Sequence, residues 1–218
     1  LGHEYNSSNK CVRCDSEDPN APFTREGDKI YFGSYPQSKV EDSALTTVLN
    51  AKAGALPSSS NAQNWTDYGY YISGSVQSYM WYIDIEYDGE KYRGVYFDSY
   101  RPHYPYYSSS LSDIYQDDNG YTMGNIYWFK YEPISWTVLK QENGKALILC
   151  DMIIDSQHFD YENGSYSNNY AESTIRAWLN DTFYNTAFSE LQKEIIITTT
   201  VDNSVDSTGY TSNSYACE

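Results

Sequence analysis

The chain has 218 residues, 25 of them tyrosine, and a net charge of -16 from 30 Asp and Glu against 14 Lys and Arg. So few cations argue against nucleic acid, whose phosphates are bound by clustered Lys and Arg, and against an anionic membrane surface. With 40% hydrophobic and 17% aromatic residues the chain can bury a substantial core, while its longest apolar runs, Ala146–Cys150 and Ile195–Ile197, are far too short to insert into a bilayer.

Residues 1–23 are polar, carry Cys11-Val12-Arg13-Cys14 and end in the breaker Asp18-Pro19-Asn20-Ala21-Pro22, so they read as a small separate element or tail. Residues 24–218 read as a single α+β domain. A strand is predicted over Lys29–Gly33, leading into a turn at Ser34–Gln37, and a short helix over Ser43–Leu49. The Gly-, Ser- and Tyr-rich stretch from Pro57 up to Tyr79 reads as a loop-rich excursion.

The clearest local signal is a hairpin from Trp81 to Phe97. Asp88-Gly89 suits a two-residue turn in which both central residues take positive φ, and that turn sets the register. Trp81 then faces Tyr96, Ile83 faces Gly94 and Ile85 faces Tyr92 on one side. Asp84 meets Arg93 and Glu86 meets Lys91 on the other, as a half-buried antiparallel pair requires. A tyrosine-rich loop follows, then a turn at Asn119-Gly120 and an apolar stretch opening with Tyr127-Trp128-Phe129. Ile134, Trp136 and Val138 alternate, Asn143-Gly144 offers another turn, and Ala146–Cys150 reads as a central strand.

Helical signals come late. Ser173 is placed to cap a helix with Ile175, Trp178, Leu179 and Phe183 on one face. Ser189-Glu190-Leu191-Gln192 has the spacing of a capping box, which predicts a second short helix running into a strand near Ile195–Val201. The expected fold is α+β: a mainly antiparallel sheet with two short helices near 173–195 and long Tyr-rich loops.

Several blocks carry a family resemblance. Phe32-Gly33-Ser34-Tyr35-Pro36-Gln37, Lys91-Tyr92-Arg93-Gly94-Val95, Glu132-Pro133-Ile134-Ser135-Trp136-Thr137-Val138-Leu139 and Ser173-Thr174-Ile175-Arg176-Ala177-Trp178-Leu179-Asn180, closing with Ala187-Phe188-Ser189, resemble domain of unknown function 6273. That family is frequent in secreted and surface-anchored proteins of Gram-positive gut-type bacteria. The resemblance covers the chain from about Lys29 onward and implies an extracellular or cell-surface setting. The family is distantly similar to C-type-lectin-like and formylglycine-generating-enzyme-like domains, implying a mixed fold with long loops. Its members continue past the Ile195 region into a further strand-rich half, so the resemblance implies that this chain is truncated or departs from the family.

Candidate chemistry is sparse. His3, Cys11 and Cys14 resemble part of a zinc ribbon, in which a Cys-x-x-Cys knuckle sets two thiolates on one side of a tetrahedron. Similar surface proteins place one more Cys upstream, so only three ligands are present here. A polar tail with a local disulfide or unbound thiols is the competing reading, and apart from this knuckle no cofactor is indicated. Cys150 and Cys217 read as a buried thiol and a terminal one rather than as an oxidase pair. Asp113, Asp117, Asp118 and Asn119 lack the alternating rhythm of a calcium loop.

The strongest recognition signal is the loop holding Tyr100, Arg101, His103, Tyr104, Tyr106 and Tyr107, whose phenols offer flat faces and hydrogen-bonding tips to a sugar or a protein. A rigid, Pro-braced loop packed on the domain is its structural alternative. Arg176 is a candidate contact to an anion or partner, set against internal pairing with a carboxylate while Trp178 packs in the core. No nucleophile, base or paired carboxylates stand out as catalytic. The expected function is therefore a non-catalytic extracellular module binding a glycan or a host or matrix protein. A lectin-fold oxidase, a carboxylate-based hydrolase and a structural spacer are the alternatives.

Overall fold

The structure is a computed structural model that describes residues 4–6, 9–14, 18, 21–58, 60–73, 76–97, 120–157, 159 and 170–199, with the backbone alone for 68–73 and 76–79. The fold is α+β. In chain order come β1 (Thr24–Glu26), β2 (Lys29–Lys39), α1 (Ser43–Ala53), β3 (Thr66–Ser73), β4 (Val76–Tyr87), β5 (Glu90–Phe97), β6 (Ile126–Glu142) and β7 (Lys145–Cys150). The short helices α2 (Thr174–Trp178), α3 (Tyr184–Ala187) and α4 (Glu190–Lys193) follow, with a π-helical stretch, Leu179–Phe183, joining α2 to α3.

The chain forms two compact units, residues 36–132 and residues 1–35 with 133–218. In the first, β6, β5, β4 and β3 lie side by side in that order, each paired antiparallel with the next. The hairpin has the expected register, Trp81 opposite Tyr96 and Asp84 opposite Arg93, because Asp88 and Gly89 take φ of 53° and 79°. Alternation sends Trp81, Ile83, Ile85, Tyr92, Tyr96 and Trp128 to one face. There α1 covers them with Leu49 and Ala53, and Trp65 joins the same cluster. Asp42 caps α1 by accepting from the Ala44 and Leu45 amides at 2.8 and 3.2 Å, so the helix begins at the predicted Ser43 and runs four residues past the predicted end.

Trp128 is nearly inaccessible, at 1%, and its indole N–H donates to Asn50 Oδ1 at 2.8 Å. The ring occupies space left by its cross-strand partner Gly94, where an added Cβ would lie 2.8 Å from Trp128 Cη2. The excursion predicted between Pro57 and Tyr79 is instead largely strand. Its tyrosines and threonine favour extended backbone, and the glycine that suggested a loop sits at a register shift between Asp67 and Gly69.

In the second unit β1 pairs with β2 and β7 pairs with β6 through the Asn143-Gly144 turn, again at positive φ. Ile30, Phe32, Tyr35, Ile134, Ala187 and Phe188 form its core, with Trp136, Ile148, Trp178 and Phe183 packed around them. The predicted turn at Ser34–Gln37 is absorbed into β2, because Gly33 takes φ 76° and lets the Phe188 ring approach the backbone. Ser173 and Ser189 cap α2 and α4, the second through a complete capping box with Gln192. The strand predicted at Ile195–Val201 is not formed over its described residues, 195–199. The Ile195 and Ile196 amides are bonded to the Gln192 and Lys193 carbonyls at 3.2 Å, so the end of α4 uses the donors a strand would need.

Both glycines are testable. Gly94→Ala should lower stability by about 1–3 kcal/mol in urea denaturation, the usual cost of overpacking a core. Gly33→Ala should be at least as damaging, since it adds a left-handed strain to a Cβ only 2.6 Å from Phe188 Cε1.

Candidate functional site

The face of β4, β5 and β6 opposite the α1 cluster carries the densest polar and aromatic grouping of the 36–132 unit. Its centre is Arg93, whose side chain is 6% exposed. A guanidinium that deep requires full compensation. Arg93 Nε donates to Asp84 Oδ1 at 2.8 Å and Nη2 to Asp84 Oδ2 at 2.9 Å, a bidentate pair set by the hairpin register. Nη2 also donates to the Tyr131 hydroxyl at 2.7 Å, and that hydroxyl donates to Asp84 Oδ2 at 2.7 Å, closing a ring of three groups.

Aromatic faces flank the ring. Arg93 Cζ stands 4.3 Å from the Tyr82 centroid, and Lys91 Nζ stands 4.3 Å from that of Tyr131. Burial pushes the Asp84 carboxyl up, but the Arg93 hydrogen bonds and charge, the Tyr131 hydroxyl and the Lys91 ammonium outweigh it and hold Asp84 below the usual carboxylate range. Burial raises the Tyr131 phenol, with Arg93 opposing and Asp84 adding to the rise. Asp84 is thus fixed as an anion and Tyr131 as a neutral donor. Neither is poised to exchange protons near neutral pH, so the ring acts as a brace.

Further along this unit a second aromatic group gathers. Tyr121 lies edge-on to Tyr127 at 4.9 Å and stacked near Phe129 at 6.3 Å. Lys39 Nζ sits 5.8 Å from the centroids of both tyrosines while pairing with Glu41 at 3.1 Å. The Tyr127 hydroxyl accepts from the Thr122 amide at 2.8 Å, which fixes the turn that follows Gly120. The Gly124 amide donates to the Phe97 carbonyl at 3.0 Å. Phe97 and Gly124 are therefore held side by side.

Tyr100, Arg101, His103, Tyr104, Tyr106 and Tyr107 lie outside the described residues, as do His3, His158, Cys217 and the Asp113–Asn119 acids. Arg176 is described. It is exposed, its guanidinium donates to the Ala171 carbonyl at 3.3 Å, and among the described residues it makes no ion pair, while Trp178 packs on Phe183 as expected. Cys11 is buried in a bridge with Tyr5, and Cys14 is exposed. Among the described residues no three His, Cys, Asp or Glu side chains are grouped to hold a metal ion.

Two acids of the other unit were not singled out from sequence. Asp155 is raised above its ordinary value by burial, against hydrogen bonds from Tyr35, Ser156 and Gln157. Asp151 is held at about 2, first by its hydrogen bond from Lys29 and then by those from Ser135 and Thr137. Ser156 and Gln157 adjoin Asp155, but Tyr35, Lys29, Ser135 and Thr137 lie on β2 and β6, beyond any local spacing that could have pointed to either acid. For Tyr131 a signal existed: Tyr127, Phe129 and Tyr131 alternate along β6, opposite in phase to Ile126 and Trp128.

The model of the family described as Domain of unknown function (DUF6273) matches residues 143–217. The match includes the Ser173–Asn180 and Ala187–Ser189 blocks and leaves residues 1–142, and with them the braced face, outside it. No curated protein and no solved structure matches the chain.

The brace has a definite pH signature. Because the folded Asp84 value is depressed, its stabilisation is complete above the unfolded-state carboxylate range near 3.9 and is lost as pH falls through the folded value. Arg93→Ala should cost about 3–5 kcal/mol at neutral pH by leaving a carboxylate unpaired. Urea titrations should show that difference shrinking as acid protonates Asp84.

Proposed function

We propose that this chain is a non-catalytic binding module of a secreted or surface-exposed bacterial protein, and that its ligand is a glycan or an extracellular protein. The observation that carries this reading is the aromatic face of the 36–132 unit. Tyr82, Tyr121, Tyr127 and Phe129 are half-buried there, while Tyr131 is buried within a brace that pairs Arg93 with Asp84, so partly open rings stand on a surface fixed from inside. Such surfaces suit sugar rings and protein patches alike, because phenols supply large contact area at small entropic cost. Tyr100, Arg101, His103, Tyr104, Tyr106 and Tyr107, which lie between Phe97 and Gly120 in the sequence, are proposed as further contacts.

An enzyme reading rests on less. Asp155 has the raised carboxyl of a general acid, yet the hydrogen-bonding neighbours named above, Tyr35, Ser156 and Gln157, supply no second acid or base. Cys150 Sγ donates to the Met152 carbonyl at 3.1 Å, an arrangement that ties up the thiol.

Glycan and mucin arrays, run beside a panel of matrix proteins, test the proposal with the folded 218-residue chain. Binding is expected, and Tyr121→Ala or Lys39→Ala should weaken it by about three- to tenfold, the effect of losing one aromatic or cation–π contact. Unchanged circular dichroism would assign that loss to the contact itself. A folded chain that binds nothing on either array would overturn the reading.

A further inference from the structure

β7 pairs with β6 on one side, and among the described residues its other edge has no strand partner. Open edges in natural sheets are usually blunted by an internal charge, a proline or a bulge. β7 has none of these from Ala146 to Cys150, the longest apolar run in the chain, and the register shift of the pair falls on β6, between Val138 and Lys140. Ile148 and Cys150 face the core of their unit, whereas Leu147 and Leu149 stand 61% and 58% exposed. Leu139 of β6 adds to the apolar surface at 56%.

The outward row of this edge reads Lys145, Leu147, Leu149, Asp151. Reversed against itself it becomes Asp151, Leu149, Leu147, Lys145. With Ile148 opposite Ile148, an antiparallel copy sets each Leu147 against Leu149 and each Lys145 against Asp151. A two-fold axis through Ile148 would thus join apolar to apolar and cation to anion at every outward position, which is what an isologous contact demands. Asp151 already accepts from Lys29, Ser135 and Thr137, which leaves about one of the four or so lone-pair sites of its carboxylate for a further donor. On a chain of net charge -16, most self-contacts would bring carboxylates together, whereas this strip carries one charge of each sign.

We propose that β7 is the contact of a symmetric homodimer, in which the β7 strands of two copies pair antiparallel about Ile148 and continue the sheet from one copy into the next. A single strand pair buries less than a standard interface, so the affinity falls in roughly the micromolar range.

Sedimentation velocity of the intact chain from about 1 to 100 µM, a range spanning that affinity, is the test. A monomer–dimer equilibrium is expected. Leu147→Glu with Leu149→Glu should abolish it with far-ultraviolet circular dichroism unchanged, and Lys145→Glu should weaken it about tenfold by facing Asp151 with a like charge. Hydrogen exchange on the unaltered protein gives a second readout, with amides 145–150 gaining protection as concentration rises. A chain that stays monomeric throughout, a dimer indifferent to the paired glutamates, or protection of 145–150 that does not change with concentration would each overturn the proposal.

Discussion

Trp128 reaches the middle of its cluster because the residue across the strand, Gly94, has no side chain to stop it. That vacancy is the constraint from which the 36–132 unit follows. Once the indole lies over Gly94, its N–H meets Asn50, which ties α1 to the sheet, and Tyr92 and Tyr96 close on either side in β5. The same pairing fixes which way every neighbour points. Arg93, adjacent to Gly94, must emerge on the far face, where Asp84 is already directly opposite. A slip of β5 by one residue would drive the guanidinium into the aromatic cluster and turn Tyr92 and Tyr96 out of it. The hydrophobic core and the charged brace are thus two faces of one register.

What could be read from the sequence divides along the range of the interactions. The β4–β5 hairpin was legible pair by pair, because Asp88-Gly89 dictates the turn and everything else counts outward from it. The capping residues Ser173 and Ser189 were legible for the same reason, since a cap acts within three residues. The β3 strand was hidden by Gly and Ser, whose loop preference is overridden once β4 offers a ladder of hydrogen bonds. The Ile195 region failed in the opposite direction. Its β-branched residues favour a strand, but α4 claims their amides first.

The site shows the same division. Asp84 and Arg93 could be paired from the turn, but Tyr131 lies 38 residues from Arg93, and the alternation along β6 gives its face without giving its hydroxyl a partner. Tyr35 and Asp155 are separated by 120 residues. The composition, heavy in tyrosine and poor in cations, did not announce that those few positive groups are set against aromatic faces. Lys39, Lys52, Lys91, Arg93 and Lys193 all stand over tyrosine rings. In the brace the cation is spent on shape, holding rings in place rather than presenting charge.

The path of the chain carries a last implication. It passes from one compact unit to the other between Tyr35 and Pro36 and returns between Glu132 and Pro133, in each case within an uninterrupted strand, β2 or β6. Shuffling the central segment between relatives by recombination would therefore sever two strands at their midpoints. A loss or gain of one residue at either junction would also invert the inside-outside phase of everything downstream in that strand. The boundaries between the two units thus run through strands, unlike those of modules joined by flexible linkers.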